Sequence, residues 1–314
     1  MNGIEISKAY FEEYGLPMLS EQFPDILGYI AAGIMGSGSE CLGFDDELSR
    51  DHDYEAGFCI FLPGEDIIDR RTAFLMERAY SKLPREFMGI NRPLMMPAGG
   101  QRRGVMRTGE FFLDRTGTSD GILSVDSWFG IPEQSLLECV NGEIFFDGYG
   151  EVSEIRERLQ YYPDDIMKKK LAGELMIMAQ SGQYNYKRCI DHGEEAAAQL
   201  AVFSFVKSAM SAVFMLNRRY MPFYKWSFRA LRSLPRLALL AELFEYLITT
   251  DNSQDLRKEK YDVIEAVASD ISDELMEQKL SKAVCSDLEK HASSINDSIE
   301  DPGIRNMHIL AAVR

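Results

Sequence analysis

At 314 residues the chain exceeds the size at which a single hydrophobic core stops growing, so two domains are expected. Its 46% hydrophobic content excludes a disordered chain. A formal charge of −16 and a pI near 4.8 argue against broad phosphate neutralisation along nucleic acid.

The opening residues, MNGIEISKAYFEEYG, carry acids where a secretion signal needs a basic and then an apolar stretch, so a cytoplasmic protein is expected. AAGIMGSGSE (31–40) sets Gly36 and Ser37 behind the apolar Ile34 and Met35. The stretch that follows, 39–58, is dense in acids and runs straight into FCIFL (58–62), a short apolar run that reads as a buried strand. Carboxylates repel one another and avoid apolar surroundings, so this crowding requires a solvated loop or a bound cation. DIIDRRTAFLMERAYSKL reads as a helix. PREFMGINRPLMMPAGGQRRGVMRTGE (84–110) holds too many glycines and prolines for regular structure and reads as a long arginine-rich loop, either functional or a simple offset to the acidic surface. GILSVDSWFG alternates up to Asp126, and GEIFFDG (142–148) is a second strand closed by an Asp-Gly turn.

From residue 151 onward the pattern is helical. SEIRERLQYY begins with an approximate capping box at Ser153, and PDDIMKKKLAGELMIMAQ has Pro163 and two acids in its first turn with lysines next, as the helix dipole favours. In 196–216, Leu200, Phe203, Val206, Met210, Val213 and Phe214 recur at helical spacing around Lys207, which fits a buried bundle helix better than a bilayer span. Pro222 should break the helix that precedes it, and a polar amphipathic tail runs from Asp251. An α/β N-terminal domain over 1–150 and an all-α C-terminal domain over 151–314 follow from this change of texture. The five scattered cysteines read as reduced, buried thiols, and His192 as a surface or capping residue, since neither has partners at metal-ligand spacing. Met167, Met176, Met178, Met210 and Met215 read as core filling.

The 13 residues 38–50 separate Ser37 from Asp51, and Asp51 and Asp53 point along the chain toward FCIFL. Residues i and i+2 of a strand share a face, so the two carboxylates can hold magnesium together while His52 points away. Gly-Ser at a tight turn lets backbone N–H groups approach a triphosphate. Glu55, Asp45 and Asp46 are expected to be solvated acids or minor helpers. The succession resembles the signature of the nucleotidyltransferase-fold (DNA polymerase β-like) superfamily, in which Gly-Ser, about a dozen residues and Asp-x-Asp on a strand follow one another. GSGSE, GFDDELSRDHD, EIFFDGYGEVSEIRERLQYYPDD, GQYNYKR, LNRRYMPFYKW and LEKHASSINDSI together resemble an uncharacterised bacterial family of that superfamily, domain of unknown function 4037.

This resemblance implies an α/β nucleotidyltransferase domain, a mixed sheet with flanking helices, completed by the helical domain; the layout is also similar to that of the aminoglycoside nucleotidyltransferases. It implies magnesium-dependent transfer of a nucleoside monophosphate from a nucleoside triphosphate to a hydroxyl on a small molecule, a protein or RNA, releasing pyrophosphate. His52 and Tyr54 stand where the superfamily usually has aliphatic residues. The third carboxylate, normally on a later strand, falls to Asp126 first, with Glu110 and Asp147 as alternatives. In LNRRYMPFYKWSFRAL, Lys225 is expected to grip a β or γ phosphate and Tyr220 or Tyr224 to stack on a base or a ring acceptor, or else the aromatics fill a helix junction. Gln183, Asn185 and Arg188 are candidates to read base or acceptor. The negative charge favours a cationic small-molecule acceptor over a long RNA. Two rival expectations are a noncatalytic nucleotide sensor lacking the third acid, and a toxin–antitoxin type adenylyltransferase acting on protein or tRNA.

Overall fold

The computed structural model describes residues 1–46, 56–91 and 102–313. The chain divides into two compact units, Met1–Leu123 with Gln134–Gln160, and Ser124–Glu133 with Tyr161–Arg314. The first contains the sheet; the second is helical among its described residues.

The first unit opens with α1 (Gly3–Tyr10) and α2 (Leu16–Gln22), joined by a π-helical turn over Phe11–Gly15. Asn2 and Glu5 close the start of α1 as a capping box. The four-stranded sheet comprises β1 (Ala31–Ile34), β2 (Cys59–Leu62), β5 (Gly104–Arg107) and β6 (Glu143–Asp147), in the order β5-β2-β1-β6; β3 (Glu86–Phe87) and β4 (Ile90–Asn91) form a separate short hairpin. β2 runs antiparallel to β1, with Gly33 opposite Cys59, and parallel to β5, with Cys59 opposite Gly104. Helix α3 (Arg70–Ser81), capped by the Asp69 side chain, lies on the crossover that a parallel pair demands. β6 pairs antiparallel with β1 through a bulge between Ala32 and Gly33.

FCIFL is buried on both faces, as its unbroken apolar run requires. Ile60 and Leu62 join a core with Ile6, Tyr10, Leu19 and Met76, while Phe61 meets Phe111 of α4 (Thr108–Thr116) edge to face at 5.4 Å. Gly15 lets the π-helical turn approach Phe58 so closely that a Cβ would overlap the ring.

Two sequence expectations change here. The stretch 84–110, expected to be irregular throughout, contains β3, β4 and β5; Gly104–Arg107 becomes a strand by pairing with β2, a tertiary gain its composition does not reveal. The alternation before Asp126 is not a strand: Ser124 caps α5 (Val125–Gly130) by accepting from the Ser127 amide, and Asp126 lies in that helix's first turn.

After α6 (Glu133–Val140) and β6 comes α7 (Glu151–Arg158). Its first turn is held by Asp147, which accepts from the Ser153 amide at 2.9 Å and the Ser153 hydroxyl at 2.6 Å, in place of a capping box begun by Ser153.

In the helical unit, α8 (Asp164–Met178) continues through a π-helical turn, Ala179–Tyr186, into α9 (Lys187–Asp191). Against α8 pack α10 (Glu195–Leu216) and α14 (Leu288–Asp297). α10 is long and apolar enough to cross a membrane by length and composition, but 67% of its apolar window is buried among its neighbours. The buried part lies toward its end; Leu200 and Phe203, expected on the core face, are exposed. The five methionines named above are all buried.

The lysine run after the first turn of α8 is not a solvated face. Lys168 pairs with Asp164 at 2.7 Å, but Lys169 is fully buried and donates to Asn296 Oδ1, Arg305 O and Met307 O at 2.8, 3.2 and 2.7 Å. Lys170, also buried, donates to Ala312 O. The end of the chain is thus tied to α8 by ammonium groups. All five cysteines are free: Cys41, Cys59 and Cys139 are buried as expected, whereas Cys189 is half-buried and Cys285 exposed.

Candidate functional site: the Gly-Ser turn and the aromatic-cationic helix

The antiparallel register brings the end of β1 to the side of the sheet where β2 begins, so Gly36 and Ser37 turn the chain there. Gly36 has φ +101° and Gly38 φ +130°, backbone states that L side chains rarely adopt. Gly36 is buried and held on both sides by one residue: its amide donates to Asn141 Oδ1 at 2.9 Å, and Asn141 Nδ2 donates to the Gly36 carbonyl at 2.8 Å. Asn141, just beyond α6, is itself fixed by Arg156, which donates to the Asn141 and Val140 carbonyls at 2.8 and 2.9 Å. Burial pushes the Arg156 guanidinium below its usual range.

Gly36 therefore has no amide left for a phosphate. The amides of Ser37, which is exposed, and Gly38 have no partner among the described residues, so these are the donors the turn can present. The Arg102 guanidinium donates to the Ser37 carbonyl at 2.9 Å and to Glu40 at 3.0 Å, and Arg103 reaches the same Glu40 carboxylate at 2.5 Å. Arg115 lies over the Phe111 ring at 3.7 Å, within van der Waals reach of the Gly36 α-carbon side, and pairs with Glu138 at 3.2 Å. Three guanidinium groups and the carboxylates of Glu40 and Glu138 thus surround two available amides, which leaves one positive charge in excess for an anion to meet. Cys41 and Cys59 line the same end; burial pushes the Cys41 thiol up to about 11 and raises that of Cys59, so neither is a nucleophile at neutral pH.

Asp51, His52, Asp53, Tyr54 and Glu55 lie outside the described residues. No group of three or more His, Cys, Asp or Glu side chains converges as a metal would require among the described residues, and the carboxylate at the turn, Glu40, is engaged by two arginines.

Two of the candidates for a third acid lie at the end of the sheet away from the Gly-Ser turn. Asp126 belongs to the helical unit. Glu110 follows β5, and β5 parallels β2, so Glu110 stands at the opposite end of the sheet from Gly36. Asp147 sits opposite Ala31, also at that far end, and serves as the cap of α7. A groove at this far end has Glu65, Glu110, Glu151 and Arg107 in its walls; burial raises the Glu151 carboxyl above its ordinary value.

In the helical unit, α10 stops at Leu216, before Pro222, and α11 (Tyr224–Leu231) begins after it. Tyr220 is buried, its ring against Tyr162 at 4.9 Å and Tyr161 at 5.4 Å, so its faces are taken by protein and it does not present a stacking surface. Tyr224 is 77% exposed and lies against Phe223, and the exposed Lys225 holds its ammonium 5.0 Å from the Trp226 ring. Arg188 is exposed on α9 over the Tyr184 ring; Gln183 instead bridges Glu265, Ser286 O and the Leu288 amide, a structural role. His192 is exposed at the end of α9.

Sequence reasoning passed over Glu133. Its carboxylate accepts from the Met221 amide at 3.0 Å and the Tyr162 hydroxyl at 3.3 Å, which ties the residue before Pro222 in place. Burial pushes its carboxyl up to about 7, against the opposing pull of the Met221 amide and Lys170.

Residues 128–227, just under a third of the chain, match the model of a family described as a domain of unknown function (DUF4037). Neither comparison with curated proteins nor comparison with solved structures finds a significant match. The matched span contributes Asn141, Arg156, Lys225 and Tyr224, and leaves out the Gly-Ser turn.

Proposed function

We propose that the protein binds a nucleoside triphosphate at the Gly36-Ser37 turn and transfers its nucleoside monophosphate to a hydroxyl acceptor, releasing pyrophosphate. The observation that carries this reading is the turn itself: the available amides of Ser37 and Gly38 directly follow Gly36, whose positive-φ backbone is held by Asn141, and Arg102, Arg103 and Arg115 lie beside the turn. Phosphate oxygens are the chemical complement of such a cradle. Asp51 and Asp53 are assigned to magnesium, which when bound would neutralise charge on the departing pyrophosphate. Lys225, Tyr224 and Arg188 belong to the helical unit, and this reading does not depend on them. Asp126, Glu110 and Asp147 gain no support as the third acid from their positions.

That last point favours one second reading, a nucleotide sensor that binds without turnover, because β5 carries no carboxylate between Gly104 and Arg107. A single pair of measurements separates the readings. Thermal unfolding with magnesium and each nucleoside triphosphate should show a rise in midpoint that Asp51→Asn/Asp53→Asn abolishes, and pyrophosphate release should accompany it only if the protein is an enzyme. No rise with any nucleotide refutes both.

A further inference from the structure

Between Glu195 and Glu242 the chain contains no Asp or Glu, although 50 acids are distributed over 314 residues; in that interval fall Lys207, Arg218, Arg219, Lys225, Arg229, Arg232 and Arg236. So complete a segregation of charge along a chain of net −16 leaves these cations to be matched by acids from elsewhere in the chain or by a partner. Some of these cations serve the fold: Arg232 pairs with Glu245, and Arg236 with Glu274 and Glu277. Arg219 and Lys225 are exposed and have no carboxylate partner among the described residues.

Aromatic faces accompany them. Tyr224 is 77% and Phe223 43% exposed, with ring centroids 4.2 Å apart at the start of α11. In the same first turn, Lys225 lies 5.0 Å from the Trp226 ring, with Arg229 at 5.9 Å. A small anion would need the cations but not the open rings, and a folded duplex would need more phosphate contacts than this one short helix offers. Flat unsaturated rings strung on phosphates satisfy both features.

We propose that the exposed side chains of Arg219, Phe223, Tyr224 and Lys225, close along the chain at the start of α11, bind a short single strand of nucleic acid, its phosphates on the cations and its bases on the rings. The nucleotidyl-transfer reading is needed only to make that strand's terminal hydroxyl the acceptor; binding itself does not depend on it. The overall negative charge then acts as a filter, admitting an end or a short stretch and repelling the rest of a long polymer.

The test is fluorescence anisotropy of labelled RNA and DNA hexanucleotides, in EDTA and without nucleoside triphosphate, against the whole protein. An equally charged hairpin duplex and inorganic polyphosphate serve as competitors. The expected result is tighter binding of the single strand than of either competitor, with RNA and DNA arms telling which sugar is read. Tyr224→Ala should weaken the hexanucleotide roughly five- to a hundredfold while leaving polyphosphate unchanged. Arg219→Ala/Lys225→Ala should weaken both and flatten the slope of log affinity against log salt by about 1.4, from about 0.7 per phosphate contact. All these side chains are exposed, so circular dichroism of the variants should match the wild type. Absence of hexanucleotide binding at low salt, or binding that Tyr224→Ala leaves intact, overturns the proposal. Magnesium-dependent pyrophosphate release without strand binding would reject this surface alone; strand binding without pyrophosphate release would reject nucleotidyl transfer alone.

Discussion

Replacing Asn141 by alanine tests whether the Gly-Ser turn is shaped from outside itself. The Asn141 side chain supplies an acceptor to the Gly36 amide at 2.9 Å and a donor to the Gly36 carbonyl at 2.8 Å, and Gly36 is buried. Alanine removes both partners and leaves a buried N–H and a buried C=O unpaired, each costing about 1–3 kcal/mol. The sum is about 2–6 kcal/mol, at the low end if water enters the vacated space. Urea denaturation followed by far-ultraviolet circular dichroism should show the midpoint falling by about 1 M or more. Asn141→Asp provides a control of different sign at the two atoms: it keeps the acceptor for the Gly36 amide but sets a carboxylate oxygen against the Gly36 carbonyl. It should therefore be no more stable than the alanine variant despite its size. If Asn141→Ala unfolds within about 0.5 kcal/mol of the wild type, the pair of hydrogen bonds does not hold the turn and the preorganisation argument fails.

Gly142→Ala should be more severe, because at φ +65° its Cβ would fall inside contact distance of the Ile34 carbonyl oxygen, a backbone atom at the bulged end of β1; loss of soluble protein or more than about 3 kcal/mol in denaturation is expected. Glu133→Gln should flatten the pH dependence of stability. The folded carboxyl titrates at about 7 against an ordinary value of 4.5, so the folded state binds more protons between those values. Stability present below about pH 4.5 is accordingly lost as pH rises through 7, on the order of 3 kcal/mol. An unchanged slope of melting temperature between pH 5 and 8 in the glutamine variant would contradict the assignment. Lys169→Met leaves Asn296 Oδ1 and the Met307 carbonyl without their donor and the Arg305 carbonyl with the Asn296 Nδ2 donor alone, and limited proteolysis should then cut beyond α14 before the rest of the chain unfolds.

The elements legible in the sequence were those whose burial is written in their own composition. FCIFL is apolar at every position because β2 is covered on both faces, and the long helices α8 and α10 carry their periodicity in Met, Leu, Val and Phe. β1 and β5 were not legible as strands. Ala31–Ile34 is built of small residues that let β6 approach Gly33, and Gly104–Arg107 owes its conformation to β2. Charge misled in the same way. Lys169 and Lys260 are amphipathic-helix lysines by pattern, yet both are fully buried; Lys260 donates to Gln199 Oε1 and Thr250 O, and burial brings its ammonium down to about 8. His291, one of the residues from which no signal could be drawn, is buried with Nε2 2.6 Å from the Cys285 carbonyl. What buries these groups is chain that returns from far along the sequence, and a local window contains none of it.

The same logic governs the candidate site. Gly36 and Ser37 were identifiable because a phosphate-binding turn has a local signature, and that signature led to the expectation that both would offer amides. The structure divides their roles instead. Asn141, 105 residues away, takes the Gly36 amide and, by donating to the Gly36 carbonyl, fixes the peptide that carries the Ser37 amide. Arg156 in turn holds Asn141, so the geometry of a turn after β1 is set by the end of α6 and by α7. These two supporting residues fall inside the span matched to the uncharacterised family, whereas the turn they shape does not. A family match over 128–227 thus covers the support of this turn and not its available amides. Function in this protein is better sought by perturbing Asn141 and Arg156 together with Ser37 than by dissecting the matched segment alone.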